Sequence, residues 1–309
     1  MREGRPESGK FDAIDDSGFA TGRVHALNMH PDLPFSTDKL LGIDLTHIIH
    51  TSDVAAAKGG AGGGGHGGGG GGGGGGGLTF SPYTAGSADG SAGFDITIEF
   101  KGSSWTQELH DIFVTAADRL VNLIIGDIPD VTVYGKGAPK VVDDILITAE
   151  LGQIDGLYGI LGQSGPTSVR TDSSLPATAQ MQFDIVDVNA LGLTVFSEVV
   201  LHEMSHSLGF GSIWDRLGLV DNGLFTGSHA VDEYHSLGGT ATGVPVEQDG
   251  GSGTAGAHWD EETFHNELMT GYINDGANPY SAMSAASFAD LGYTITSDIH
   301  GWADPYLLS

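Results

Sequence analysis

The sequence predicts an α+β fold, because strand-type and helix-type patterns follow one another without a strict alternation. Residues 94–100 alternate apolar and polar side chains, which is typical of a strand with one solvated face. Two β-branched runs at 131–134 and 145–149 predict further strands. Between the first strand and these runs, apolar residues recur at helical spacing from 105 to 124. An N-terminal sheet with helices is therefore expected.

The helices can be placed from their apolar spacing and end signals. The first follows Ser103 or Ser104, either of which is a suitable N-cap. A second is expected at about 194–208 and should stop at Gly209. Beyond it the chain is rich in glycine and threonine until 281–291, where apolar spacing predicts a final packed helix. The C-terminal part is thus expected to be a loop-rich subdomain that ends in a helix.

The second predicted helix contains the pattern H-E-x-x-H as His202, Glu203 and His206. Residues four apart lie on one face of a helix, so the two imidazoles can converge on one cation. Glu203 would then flank the open side of the metal, where a general base is needed. A pair of buried histidines beside a buried carboxylate is costly without a cation, which favours a zinc site over two ordinary helix histidines.

A catalytic zinc ion needs a third protein ligand and one open position. In the most compact arrangement the third histidine follows the second by six residues, but that position is Ser212. A downstream glutamate on another helix is an alternative, and Glu233 is the best-placed candidate. The residues themselves leave several candidates open, namely Glu233, His229, His235, His258 and His265.

The stretch 258–272, HWDEETFHNELMTGY, resembles the leishmanolysin family of metzincin metalloproteases, particularly its bacterial members. In that family an insertion separates the zinc helix from a third histidine followed by Trp, and an E-L-M segment forms the Met-turn below the metal. The resemblance implies a metzincin-like zincin with a mixed, twisted N-terminal sheet. It makes Glu203 the general base and Met269 the Met-turn residue. The implied zinc ligands are His202, His206 and His258.

The resemblance implies a zinc-dependent endopeptidase that hydrolyses peptide bonds with a metal-activated water. Peptide or protein substrates would lie beside an edge strand, which we place near 181–184. Two alternatives stay open: a secreted binding or adhesion module with a structural zinc, and a zinc hydrolase of a non-peptide amide. Eukaryotic leishmanolysins are rich in disulfides and have a propeptide cysteine, whereas this chain has no cysteine. Latency through a cysteine is therefore excluded.

Composition limits the partners and the location. With 12 Lys and Arg against 40 Asp and Glu, the formal charge of −28 disfavours nucleic acid and anionic membranes. No stretch is expected to be long and apolar enough to span a bilayer. We expect a monomer that is extracellular, secreted without an N-terminal signal peptide. Calcium is a further candidate cofactor, but Asp143, Asp144 and Asp155 fit no calcium motif and are left unassigned.

The chain divides at a run of glycines over 59–77, which is interrupted only by Ala61 and His66. Such a run predicts a linker, because ordering polyglycine costs much backbone entropy. Residues 78–309 are then the catalytic domain. Residues 1–58 are a leader or propeptide-like region of unknown role, within which 24–49 could form a strand or two. Whether this region belongs to the catalytic fold or covers the cleft stays open.

Overall fold

The computed structural model describes residues 78–86, 93–134, 138–251 and 253–308, together with the backbone of 25–29. The glycine run 59–77 and the rest of 1–58 lie outside the described residues. The strands are β1 (His25–Met29), β2 (Tyr83–Ala85), β3 (Ile96–Lys101), β4 (Val131–Val133), β5 (Lys140–Val142), β6 (Ile145–Gly152), β7 (Ile160–Val169), β8 (Pro176–Asp184), β9 (Val220–Asp221), β10 (Leu224–Phe225), β11 (Val244–Pro245) and β12 (Tyr272–Ile273). The helices are α1 (Gln107–Val121), α2 (Ile185–Ser207), α3 (Trp214–Leu217), α4 (Ser228–Ser236), α5 (Glu261–Phe264), α6 (Ala282–Leu291) and α7 (Ile299–Trp302).

A twisted, mixed sheet of seven strands forms the main layer, in the order β12-β1-β7-β8-β6-β3-β2. The inner strands β3, β6 and β8 are parallel, whereas β7 runs antiparallel to β8 and β2 runs antiparallel to β3. Strands β3 and β6 alternate buried with partly exposed side chains along much of their length. The sequence pattern predicted this alternation for β3 and predicted β6 as a strand. The predicted α+β class with a mixed sheet is confirmed.

Helices α1 and α2 pack together and α2 lies on the sheet, where aromatic rings form the core. Phe113 of α1 and Phe196 of α2 each contact Phe183 of β8 edge to face, with ring centroids 5.3 Å apart. Helix α1 begins later than predicted, because Thr106 and not Ser103 or Ser104 is its N-cap. The backbone at Trp105 forms a bridge to Leu78 and its side chain is fully buried, which keeps the helix from beginning earlier.

Helix α2 is kinked at Gly192, which has φ 79° and ψ 165°, so the part that follows matches the predicted helix at about 194–208. Among the described residues, α2 is long and apolar enough to cross a membrane by length and composition alone. The expectation that no stretch reaches this length was therefore wrong. The kink and the unbroken burial of residues 199–207 inside the protein are, however, properties of a core helix.

The C-terminal part contains short strands and helices joined by loops. Helix α6 begins at the predicted place, capped by the Ser281 hydroxyl, and ends at Gly292 in the left-handed conformation. It is not the final helix as predicted, since the four-residue α7 follows it. Asp290 of α6 accepts hydrogen bonds from the backbone N–H groups of His229 and Ala230, which fixes the start of α4 on α6.

Candidate active site

The C-terminal end of α2 carries two buried histidines on one face, His202 and His206. The helix ends at Ser207, and Gly209 follows with a φ of 111°, which glycine adopts at little cost. This turn places the Phe210 carbonyl oxygen 2.8 Å from His206 Nδ1. Because a carbonyl oxygen only accepts hydrogen bonds, Nδ1 carries the proton and the lone pair is on Nε2.

Two other backbone carbonyls orient two further imidazoles in the same way. His202 Nδ1 donates to the Leu268 carbonyl at 2.7 Å, and His258 Nδ1 donates to the Thr254 carbonyl at 2.9 Å. Such second contacts fix both the tautomer and the ring orientation of metal-binding histidines. All three rings therefore present Nε2 to a common point, although His258 lies 52 residues beyond His206 in the chain.

The three Nε2 atoms lie close enough together to share one ion. The distances are 2.9 Å between His202 and His206, 3.0 Å between His206 and His258, and 3.2 Å between His202 and His258. Tetrahedral zinc with bonds of 2.0–2.1 Å separates its nitrogen ligands by about 3.3–3.4 Å. Three converging lone pairs repel one another unless a cation lies between them. The set could therefore hold a metal ion, and its chemistry fits zinc.

Burial keeps at least two of these imidazoles in the neutral state that metal binding would need. Desolvation lowers the pKa of His202 well below its usual value, and the neighbouring His258 lowers it further. Desolvation also lowers the pKa of His258 to about 4. Both rings are therefore neutral at neutral pH, as imidazole ligands must be.

The other candidates for a third ligand lie elsewhere in the described part of the chain. Glu233 on α4 is 3.5 Å from the His300 imidazole, on a surface that it shares with α7. His235 Nε2 lies 2.9 Å from the Ala241 carbonyl oxygen. Neither these residues nor His229 and His265 belong to the histidine cluster. Of the five alternatives, only His258 meets the two helix histidines.

Glu203 is fully buried between α2 and strand β7. A Cβ atom added at Gly162 of β7 would lie 3.0 Å from Glu203 Cγ and 3.1 Å from its Oε1. Two residues further along β7, the Ser164 hydroxyl donates to the Glu203 backbone carbonyl at 2.6 Å. The Glu203 carboxylate is thus held beside His202, the preceding residue. The strand that holds it, β7, has no side chain at the point of contact.

The segment after His258 contains a buried carboxylate that the sequence did not single out, Glu267. Its Oε2 accepts the N–H of Met269 at 2.5 Å, and its Oε1 accepts the hydroxyls of Ser281 at 2.6 Å and Ser284 at 2.5 Å. Burial raises the pKa of Glu267. Met269 is fully buried in the tight turn that this network holds against α6. The only sequence signal was a glutamate two residues before the methionine.

Strand β8 is not an edge strand, so the predicted substrate strand near 181–184 was wrong. It lies between β6 and β7 in the interior of the sheet. The strand that passes the histidine cluster is β7, whose outer side pairs with β1. Sequence reasoning could not find this, because strand order depends on contacts that are distant in the chain.

The described acidic residues form two groups that could hold a metal ion, Asp95 with Asp143 and Asp144, and Asp155 with Asp184 and Asp187, but no observation assigns calcium to either. Asp144 accepts backbone N–H bonds from Asp95 and Ile128, at 2.6 and 2.8 Å. Asp184 caps α2 and also accepts three N–H bonds from residues 154–156. Both carboxylates therefore already accept hydrogen bonds from backbone N–H groups.

Comparison with known proteins gives the same family that the sequence resembles. Residues 226–298 match the family model described as Leishmanolysin. A leishmanolysin homolog of Crithidia fasciculata is 32% identical over 108 residues, which cover 30% of this chain and 16% of that protein. Leishmanolysin of Leishmania donovani is 28% identical over 134 residues, which cover 38% of this chain and 22% of that protein. The matches thus span about a fifth of these relatives.

The matched family segment contains His258 and Met269, the two residues that could be chosen from the sequence only through resemblance. It also contains Glu267, which holds the turn around Met269. The resemblance is thereby confirmed: this chain is similar to the leishmanolysin peptidases.

Proposed function

We propose that this protein is a zinc-dependent endopeptidase of the metzincin type, with Glu203 as its general base. One observation carries the proposal: three Nε2 atoms from His202, His206 and His258 converge within 3.2 Å, with a buried glutamate next to the first of them. Three imidazoles and no fourth protein ligand among the described residues leave a tetrahedral ion one position open. An open position is the mark of a catalytic site rather than a structural one.

Zinc bound there would supply Lewis acidity, which polarises the scissile carbonyl and makes water a nucleophile near neutral pH. The protein's own groups do the rest. The Nδ1 contacts of the three rings hold the ligands in place. Glu203 takes a proton from the attacking water and passes it to the amine that leaves. Burial of Glu203 strengthens its electrostatic interaction with the site by excluding water.

The substrate in this proposal is an extended peptide bound along β7. The outer side of β7 carries backbone N–H and C=O groups, and an extended peptide can pair with such groups as an added strand. Met269 supports the site by packing below it. We further propose that residues 78–309 form the catalytic domain and that the protein acts as an extracellular monomer. These last points rest on the composition and on the glycine run at 59–77.

A peptidase assay with metal analysis tests the proposal. The purified chain should contain one equivalent of zinc, cleave casein or a peptide library, and lose cleavage on treatment with a chelator. Readdition of zinc should restore it. Zinc that is bound without any cleavage would indicate a binding module with a structural metal. Cleavage of small amides but never of peptides would indicate a non-peptide hydrolase. Either result would refute the proposed activity.

A further inference from the structure

Three aspartates meet where the loop between β6 and β7 passes the start of α2. One carboxylate oxygen from each of Asp155, Asp184 and Asp187 lies within 4.8 Å of the other two. Two oxygens bound to one calcium ion, with bonds of about 2.3–2.6 Å, can be at most about 4.6–5.2 Å apart. The three carboxylates are therefore close enough to share one ion.

Asp187 is the member of this group that points to a ligand. The residue is only 1% exposed, and its Oδ1 accepts the Tyr158 N–H at 2.7 Å. Its Oδ2 is also buried, and it accepts no hydrogen bond from the described residues. A buried carboxylate oxygen without a donor is costly, because burial removes the water that would otherwise solvate it. A cation bound within the group would satisfy this oxygen.

The other two carboxylates hold the loop and still have lone pairs to offer. Asp184 Oδ2 accepts the N–H groups of residues 154–156, whereas among the described residues its Oδ1 accepts only that of Val186. Asp155 accepts the Ile160 N–H, which is shared between its two oxygens at 3.0 and 3.2 Å. A carboxylate has about four lone-pair sites. Asp184 Oδ1 and Asp155 can therefore bind a cation and keep these hydrogen bonds.

The negative charge of the group is not balanced by a basic side chain. In the part of the chain that the structure describes, no lysine, arginine or histidine forms an ion pair with any of the three aspartates. Desolvation raises the pKa of Asp187, and repulsion from Asp184 and Asp155 raises it further. Asp155 is exposed, so the group is open to solvent on that side.

We infer that Asp155, Asp184 and Asp187 bind one hard divalent cation, Ca²⁺ or Mg²⁺, at the start of α2. The donors are all carboxylate oxygens, which suit these cations better than they suit zinc. The ion ties the loop before β7 to α2, the helix that carries the histidine pair. It also supports the start of β7, whose first residue, Ile160, donates to Asp155. This site is separate from the histidine cluster and does not depend on the proposed peptidase activity.

Calorimetric titration of the zinc-loaded protein tests the inference, with CaCl₂ and MgCl₂ as separate probes. A background of about 0.15 M NaCl screens weak binding to the acidic surface. Saturation of the wild type should raise its melting temperature by at least about 3 °C. Asp187→Asn keeps an acceptor for the Tyr158 N–H but removes one charge, so affinity should fall by at least about 10-fold. Asp221→Asn makes the same charge change in the separate sheet of β9, β10 and β11 and should bind like the wild type.

A glycine substitution tests the geometry without changing the charge. A Cβ added at Gly159 would overlap the Asp155 carboxylate, so Gly159→Ala must displace this ligand. Affinity for the ion should again fall by at least about 10-fold. Gly152→Ala is the matched control, because its added Cβ has no neighbour within 4 Å, and it should bind like the wild type.

The variants are compared at equal zinc content and with circular dichroism that matches the wild type. Equal affinity of the wild type, Asp187→Asn and Gly159→Ala would overturn the inference, as would a wild-type protein that binds neither ion. Weaker binding in Asp143→Asn but not in Asp187→Asn would place the ion in the other acidic group and would overturn it as well. Where the inference holds, the probe that binds more tightly identifies the cation.

Discussion

The contact between Gly162 and Glu203 gives the sharpest test of the general base, because a single methyl group reaches it. In Gly162→Ala the new Cβ would lie 3.0 Å from Glu203 Cγ. Carbon atoms in favourable contact are about 3.5–4.0 Å apart, so the carboxylate must retreat by roughly 0.5 Å. Phe183 Cδ1 is also 3.0 Å from the new methyl group, so the methyl group meets a second buried side chain.

A displacement of this size matters at a catalytic group. A misplacement of 1 Å can cost about 100-fold in rate, so half of that distance corresponds to about 10-fold on a logarithmic scale. We expect the kcat of peptide cleavage by Gly162→Ala to fall by about 10-fold. The zinc content should be unchanged, because the methyl group faces Glu203 and Phe183 and not a metal ligand. Overpacking should lower the free energy of unfolding by about 1–3 kcal/mol.

Steady-state kinetics, metal analysis and urea unfolding measure the three quantities on one protein. The matched control is Gly152→Ala, at the end of β6, where an added Cβ has no neighbour within 4 Å. It should leave kcat within about twofold of the wild-type value. If Gly162→Ala cleaved peptides at the wild-type rate, the contact with Gly162 of β7 would not be what positions Glu203.

The remaining predictions concern the base, the ligands, the Met-turn and one buried acid. Glu203→Gln should keep one zinc and lose peptide cleavage by at least about 100-fold, the usual contribution of a general base, and retained cleavage would refute its role. Elemental analysis should show that His258→Ala loses zinc, whereas Glu233→Ala keeps it. The reverse result would show that Glu233, and not His258, is the third ligand. Glu267→Leu leaves four buried donors without this acceptor, so urea unfolding should show a loss of at least about 3 kcal/mol. Burial raises the pKa of Asp144 to about 6. The folded state therefore binds the Asp144 proton more tightly than the unfolded chain does. The stability that the protonated group contributes is lost as pH rises from about 4 to 6. The difference in unfolding free energy between wild type and Asp144→Asn should fall over that range, and a constant difference would contradict the shifted pKa.

Local sequence patterns were sufficient to predict the features that depend only on neighbouring residues. The spacing of His202 and His206 fixes their common face on any α-helix, whatever surrounds it. Alternation over 94–100 and helical spacing over 105–124 likewise predicted β3 and α1, and both are present. The start of α1 was misjudged because Ser103, Ser104 and Thr106 are all good caps. The choice among them depends on the burial of Trp105, a tertiary contact.

The third ligand could not be chosen from local patterns. Glu233 and His258 are both downstream, and Glu233 lies on a helix as a ligand often does. What separates them is packing: Asp290 anchors α4 to α6, which turns Glu233 toward α7 and away from the cluster. Resemblance to a known family supplied His258, because a family motif reflects tertiary contacts that local spacing in one sequence does not.

Strand order is the feature that local sequence patterns predict least. The run 24–49 predicted a strand or two, and His25–Met29 is one, yet no pattern within five residues specifies a partner. Its register is set by β7 on one side and β12 on the other, which are more than 100 and 200 residues away. Closing a chain segment of that length costs entropy that five residues cannot offset alone, so the hydrogen bonds on both sides contribute to holding the strand. The position of β1 is therefore a property of the folded sheet and not of its own five residues.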